Sequence, residues 1–259
     1  MGVSPAKSPN IYIDTIFNGP QYNNFNKFPN DLSSNRNSTE TLRIFHQNIR
    51  GLHRKFDELT THWLNFSPNI LCFTEHHSKD HEIGNICINH YNLGAHYCRK
   101  CRKHGGVCIF VHDTLTSTNI DLSRYCNEFD LEACAIKMRI SDSIFCILCI
   151  YRPPTSNFSK FLCLLESMLM QIYSNTTNLI ICVDININYL KSSNYKTQLD
   201  CLLASYNLST AVNFPTRTTK NTYTAVDNIF IDKTKISDYI VEPIINGLPD
   251  HDAQELVLQ

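Results

Sequence analysis

The chain is 259 residues long, enough for one large domain or two small ones, and its 42% hydrophobic residues argue against a disordered or fibrous polypeptide. Lysine plus arginine number 23 against 24 acidic residues, a formal charge of -1, which excludes binding to a polyanion through bulk positive charge and leaves room for a local basic rim. The first ten residues contain no apolar run that would serve as a signal peptide, and the longest apolar run, 144–151, is too short to span a bilayer. The 12 cysteines sit mostly inside apolar stretches, as Cys72 and Cys182 do, where a free thiol acts as a small hydrophobe. The expectation is a reduced, intracellular, soluble protein.

Residues 1–41 hold Pro5, Pro9, Pro20 and Pro29 among many Asn and Ser, and read as a flexible polar leader before a domain at 42–259. Residues 42–46 alternate as a strand does. Phe56, Leu59, Trp63, Leu64 and Phe66 recur at helical spacing across 53–66. Buried-strand runs follow at 69–74, 107–111, 131–140 and 144–150. Phe158, Phe161, Leu162, Leu165, Leu169 and Ile172 mark a second helix. A strand is expected at 178–183, a helix at 196–206, and strands at 226–231, 239–245 and 256–258. Strands outnumber helices and adjoin one another, so the pattern favours an α/β protein with much antiparallel pairing. There is no Gly-x-Gly-x-x-Gly turn and no Walker loop, so nucleotide-cofactor chemistry has no local support.

Several of these runs end in residues that a core would reject. Gln47 and Asn48 close the first, Thr74 and Glu75 the second, Tyr151 and Arg152 follow a fully apolar strand, and Asp184 leads to Asn186 and Asn188. Asp227 and Asn228 begin a late strand, and Asp250, His251 and Asp252 precede the last. Strand ends of one sheet share a rim, and a rim holding Glu75, Asp184, Asp227 and Asp250 repels itself unless a divalent cation is present. Oxygen donors suit Mg²⁺ or Mn²⁺ better than zinc. Taken singly, an Asp after a strand is most often a turn or cap residue. The ordered set is far less common than its members.

That set resembles the exonuclease–endonuclease–phosphatase superfamily. The resembling motifs are Gln47-Asn48-Ile-Arg-Gly51, Phe73-Thr-Glu75, Gly105-Gly-Val-Cys-Ile-Phe-Val111, Ile150-Tyr-Arg-Pro-Pro154, Asp184-Ile-Asn186-Ile-Asn188, Ala225-Val-Asp-Asn-Ile-Phe230 and Asp250-His251, in the family's order. The nearest branch is the apurinic-endonuclease-like domain of jockey-type non-LTR retrotransposons. The resemblance implies a DNase I-like four-layer α/β sandwich, two packed and mainly antiparallel sheets flanked by helices. It implies a DNA endonuclease acting with Mg²⁺ or Mn²⁺, in the nucleus, with DNA as partner and no membrane or protein partner inferred. Glu75 would be the principal metal ligand, with Asn48 beside it and Asp250 adding a further one. His251 would contact the scissile phosphate and pair with Asp227. Asp184 would activate or place the attacking water, Asn186 would bind phosphate or hold Asp184, and Tyr151 would donate to the phosphate with Arg152 adding charge.

Two departures stand in this sequence. Val183 precedes Asp184 where the family has Gly, and could crowd the strand end; Pro249 precedes Asp250 where many relatives have Ser. They keep open a catalytically degenerate relic or DNA-binding fragment, with a superfamily phosphatase as a third reading. Nothing in the chain resembles a reverse-transcriptase palm, so no polymerase activity is expected of it.

The stretch His96-Tyr-Cys98-Arg-Lys-Cys101-Arg-Lys-His104 has a Cys-x2-Cys spacing, but the second half of a zinc motif is missing. Arg99, Lys100, Arg102 and Lys103 make it read instead as a basic loop, either for phosphate contact or simply solvated. Cys146 and Cys149 should face opposite sides of their strand. His76, His77 and His81 read as a surface loop, and Thr216, Arg217 and Thr218 as a polar patch that contacts DNA or forms a turn.

Overall fold

The computed structural model describes residues 41–63, 67–248 and 250–259. The expected leader and Pro249 therefore lie outside the described residues, as do Leu64, Phe66 and the side chains of Phe56 and Trp63.

The strand-like runs become two six-stranded sheets. In the first, β1 (Leu42–Asn48) and β2 (Ile70–Thr74) lie side by side and parallel. The crossover between them is α1 (Leu52–Trp63), the helix that the apolar spacing at 53–66 predicts. The short α2 (Asp80–Ile83) leads into β3 (Tyr91–Tyr97) and β4 (Val107–His112), which extend the sheet on the β2 side. β5 (Ser117–Ile120), β6 (Glu132–Ile140) and β7 (Ser143–Tyr151) begin the second sheet. There α3 (Phe158–Ile172) carries the chain from β7 to the parallel β8 (Thr177–Asp184). α4 (Asn194–Ala204) and β9 (Leu208–Thr210) follow, then a small ribbon of β10 (Arg217–Thr218) and β11 (Tyr223–Thr224). β12 (Asp227–Asp232) completes the second sheet, and β13 (Tyr239–Ile244) and β14 (Ala253–Leu258) return to the first. The sheet orders are β13-β14-β1-β2-β4-β3 and β5-β6-β7-β8-β12-β9, all antiparallel but for β1–β2 and β7–β8.

Alternation along the strands sorts the apolar residues into three cores. Ile44, Ile70, Cys72 and Ile109 of the first sheet pack against Cys134, Ile147, Cys149, Ile180 and Cys182 of the second. Phe45, Leu71, Phe73 and Phe110, on the opposite face of the first sheet, receive Leu52 and Leu59 of α1. Leu148, Ile181 and Phe230, on the far face of the second, receive Phe161, Leu165 and Leu169 of α3 and Leu199 of α4. Helices, sheet, sheet and helices therefore form four layers, the expected DNase I-like sandwich. Cys146 and Cys149 do lie in different cores.

Five strands escaped the sequence reading: β3, β5, β9, β10 and β11. The longest, β3, is an edge strand of mixed polarity with a register shift between Leu93 and Ala95. Gly94 sits at that shift, where an added Cβ would come within 3.0 Å of Val111 Cγ2 and 3.1 Å of Ile136 Cγ2. A side chain there would push between the two sheets, so the strand has glycine where a pattern search expects an apolar residue. Val183 faces the α3–α4 layer in the outer core, so it does not crowd the strand end as expected.

Candidate active site

The two parallel pairs bring the polar strand ends together. Asn48 is level with Thr74, and Glu75 follows directly. In the other sheet Tyr151 is level with Asp184, and antiparallel β12 begins with Asp227 opposite Asp184. β14 starts at the same end, and Gln47 Nε2 holds the His251 carbonyl at 2.9 Å. Glu75 and Asn186, just past β2 and β8, and Asp250, just before β14, have φ of 54°, 51° and 79°, a left-handed conformation that non-glycine residues rarely adopt. Such strain persists where the surroundings fix it, often at functional sites.

Asn48 joins the two sheets. Its Nδ2 donates to Glu75 Oε1 at 2.8 Å and to Asp184 Oδ2 at 2.7 Å, while its Oδ1 accepts the Arg50 N–H at 3.1 Å. Its NH₂ thus bridges the two carboxylates across the sheets. Beside them His251 Nδ1 donates to Asp227 Oδ2 at 2.8 Å. That oxygen also accepts Thr216 Oγ1 at 2.8 Å, and the Thr216 hydroxyl in turn accepts the N–H groups of Val226 and Asp227.

Acidic charge is concentrated here. Asp184, Asp227 and His251 are buried, and each brings one ligand atom within 4.8 Å of the other two. Burial, then the charges of Asp227 and Glu75, push the Asp184 carboxyl well above the usual range against the pull of His251 and Asn48. Burial also disfavours the Glu75 carboxylate, yet hydrogen bonds from His77 and Asn48 and the charges of His77 and Arg50 hold it down at about 2. The His251 imidazole is raised although burial opposes its charge, because Asp227 faces it with Asp184 behind. Asp227 Oδ1 is buried with no hydrogen-bond partner among the described residues. An orphaned carboxylate oxygen amid acidic neighbours fits a divalent cation with oxygen preference. The chemistry of Glu75, Asp184 and Asp227 matches that demand.

Other expected residues fall differently. Tyr151 is buried, with Arg99 5.8 Å above its ring, and burial with the charges of Glu75, Asp184 and Glu132 raises its hydroxyl strongly, so it stays a proton donor. Asn186 Nδ2 donates to the Arg152 carbonyl at 2.9 Å and its N–H to Asp184 Oδ1 at 3.2 Å, which fits holding Asp184 rather than phosphate. Arg152 is a correction: it is 4% exposed, its Nη1 donates to the Ile185 carbonyl, and its guanidinium lies over Phe158 and Phe161. It cannot offer charge to DNA from there. Asp250 is another, for its exposed carboxylate is ion-paired with Arg50 instead of joining the buried acidic group. Arg99 is committed to buried Glu132, with Nε to Oε1 at 2.6 Å. Lys100, Arg102 and Lys103 are exposed. The third correction is His76, which is buried and not at the surface: its Nε2 donates to the Tyr97 carbonyl and its Nδ1 accepts the Ser78 N–H.

Four residues at this end were not identified as site residues from the sequence. Thr216 was read as part of a polar patch, and its hydroxyl proves to be the clamp on Asp227. His77, whose Nε2 lies 3.1 Å from Glu75 Oε2, was read as loop surface. Glu132 fastens Arg99 and the Gly106 N–H (2.6 Å), and Gln47 holds the His251 carbonyl. Two signals are in the sequence: Gln47 at the polar end of its strand, and a Glu at 132 within a buried-strand run.

Comparison with solved structures gives a consistent architecture. The endonuclease domain of TRAS1, a telomere-specific non-LTR retrotransposon, superposes with a TM-score of 0.69 over 85% of this chain and 98% of its own, at 13% identity. The chain has the fold of the exonuclease–endonuclease–phosphatase superfamily. The same DNase I-like fold appears in a Neisseria 3′ phosphatase bound to product DNA hairpin (TM-score 0.65, 11% identity, 84% of this chain and 99% of that one). It appears again in an AP endonuclease from Leishmania major (TM-score 0.64, 10% identity, 85% and 88%). No protein-family model matches the sequence, and no curated protein does. No described helix is long and apolar enough to cross a membrane.

Proposed function

We propose that this chain is a divalent-metal-dependent DNA endonuclease of the retrotransposon type, which nicks one strand and leaves a 3′-hydroxyl. The observation that carries the reading is the junction of Asn48, Glu75 and Asp184 across two sheets, beside the Asp227–His251 pair. Mg²⁺ or Mn²⁺, held by Glu75 with Asp184 and Asp227 nearby, would supply Lewis-acid neutralisation of the scissile phosphate.

The residues then divide the remaining tasks. Asp184, ionised once a cation is held beside it, would take the proton of the attacking water, and the Asn186 N–H holds its orientation. His251, aligned by Asp227, which also favours its charged form, lies against the phosphate oxygen. Tyr151 donates a hydrogen bond to the same group. The exposed Lys100, Arg102 and Lys103 contact the flanking backbone, so binding weakens as salt rises. Action on chromosomal DNA places the enzyme in the nucleus.

A labelled duplex tests the reading. Wild type with Mg²⁺ should release fragments whose 3′ ends a polymerase extends without further treatment. Glu75→Gln and His251→Ala should each lower the rate by at least about 100-fold, as expected when a positioned acid–base or charge-stabilising group is removed. Release of inorganic phosphate from an intact strand would favour a phosphatase, and DNA binding without cleavage a degenerate relic.

A further inference from the structure

A second group of metal-ligating side chains lies outside the rim residues. Among the described residues, Asp80, His96 and Cys98 each bring one ligand atom within 4.8 Å of the other two. The group has a simple structural origin. His96 lies in β3 and Cys98 directly follows its last residue, and their ligand atoms meet on one side of the chain. Among the described residues, β3 is the outermost strand of its sheet. Asp80 opens α2, and its Oδ1 meets His96 Nε2 at 2.9 Å.

A hydrogen bond accounts for His96 and Asp80 but not for Cys98. The sulfur's hydrogen-bond neighbour is His76 Nε2 at 3.9 Å, and that nitrogen already serves the Tyr97 carbonyl at 3.1 Å. The nearby positive charge, the Lys79 ammonium, is turned to the carbonyls of Arg99, Lys100 and Arg102. One sulfur, one imidazole nitrogen and one carboxylate oxygen thus converge. That donor set selects zinc over the hard cations suited to the acidic rim.

We propose that Asp80, His96 and Cys98 form a zinc site, with water in the fourth position. The sequence hid it because Cys101, the partner suggested by Cys-x2-Cys spacing, is not in the group, while Asp80 is distant along the chain. The ion would tie the start of α2 to the end of β3, where Lys79 already straps down the loop at 99–102. It would therefore fix the base of the basic loop. The inference does not depend on the endonuclease reading.

Cobalt substitution tests it, because thiolate coordination gives Co²⁺ a sulfur-to-metal charge-transfer band that oxygen and nitrogen ligands do not. The full chain, purified and stripped of metal, should take up one thiolate-bound Co²⁺, and zinc should displace it. Loss of a group merely supporting a ligand weakens metal binding about 10- to 100-fold, so Cys98→Ser and His96→Gln should do at least that. Glu75→Gln and Cys101→Ser should keep the band, separating this site from the acidic rim and from the other loop thiol. If Cys98→Ser fails to fold, His96→Gln, whose side chain is partly exposed, decides the question with circular dichroism as the folding check. No band in wild type, a band unchanged in His96→Gln, or loss of the band in Cys101→Ser instead would overturn the proposal.

Discussion

The Thr216–Asp227–His251 chain puts a buried imidazole under the control of one hydroxyl. Thr216 Oγ1 donates to Asp227 and also receives two backbone N–H groups. Thr216→Val keeps the shape but leaves those groups unpaired in a buried place, which costs about 1–3 kcal/mol per orphaned group. Urea unfolding should record at least that loss, and a nicking assay a reduced rate; a variant as stable as wild type contradicts the assignment. Glu132 makes a pH-dependent claim. Burial raises its carboxyl from 4.5 to about 7 despite Arg99 and the Gly106 N–H. Its folded pKa lies above the unfolded one, so its contribution is full below pH 4.5 and is lost as pH climbs through about 7. The limit is about 3 kcal/mol. Glu132→Gln does not titrate, so the stability of wild type relative to this variant should fall by up to that amount between pH 4 and pH 8, on the order of the shift. A constant difference would contradict it. At this scale the sequence was legible where a carboxylate follows an apolar strand, as at Asp184. It failed at Arg152, because only packing against Phe158 and Phe161 reveals that a cation after a strand turns inward.

Elements carry the cysteine chemistry. β2, β6, β7 and β8 place Cys72, Cys134, Cys149 and Cys182 between the sheets, where they act as small core residues; burial raises the thiols of Cys72, Cys134 and Cys149, and the hydrogen bond with Cys72, then burial, raises that of Cys182. Cys87, Cys101, Cys163 and Cys201 are exposed. Alkylation of the native protein followed by peptide mass mapping should label these four rapidly and the inter-sheet four only after denaturation. Fast labelling of Cys72 or Cys182 would contradict the packing. The central strands were legible because they are continuous apolar runs, and α3 because Phe158, Phe161, Leu165 and Leu169 repeat at helical spacing. Edge strands were not: Ser117–Ile120 and Tyr91–Tyr97 bury too little on either face to leave a pattern.

For the whole molecule, the decisive feature is that neither sheet holds the candidate site alone. The first supplies Asn48, Glu75 and His251, the second Tyr151, Asp184 and Asp227, and the Asn48–Asp184 hydrogen bond is made only when the sheets pack. This explains why the resemblance found four layers that periodicity could not: a pattern of strands contains no statement of which sheet each joins. Under the proposed function, a chain of charge -1 would act on a polyanion through local groups, a cation at the acidic rim and the exposed basic loop. The most direct measurement is conversion of supercoiled plasmid to open circles by the purified chain, with Mg²⁺ and with EDTA, beside Glu75→Gln. The account predicts open circles only for wild type with Mg²⁺. Equal nicking in EDTA, or by the Glu75 variant, would contradict it.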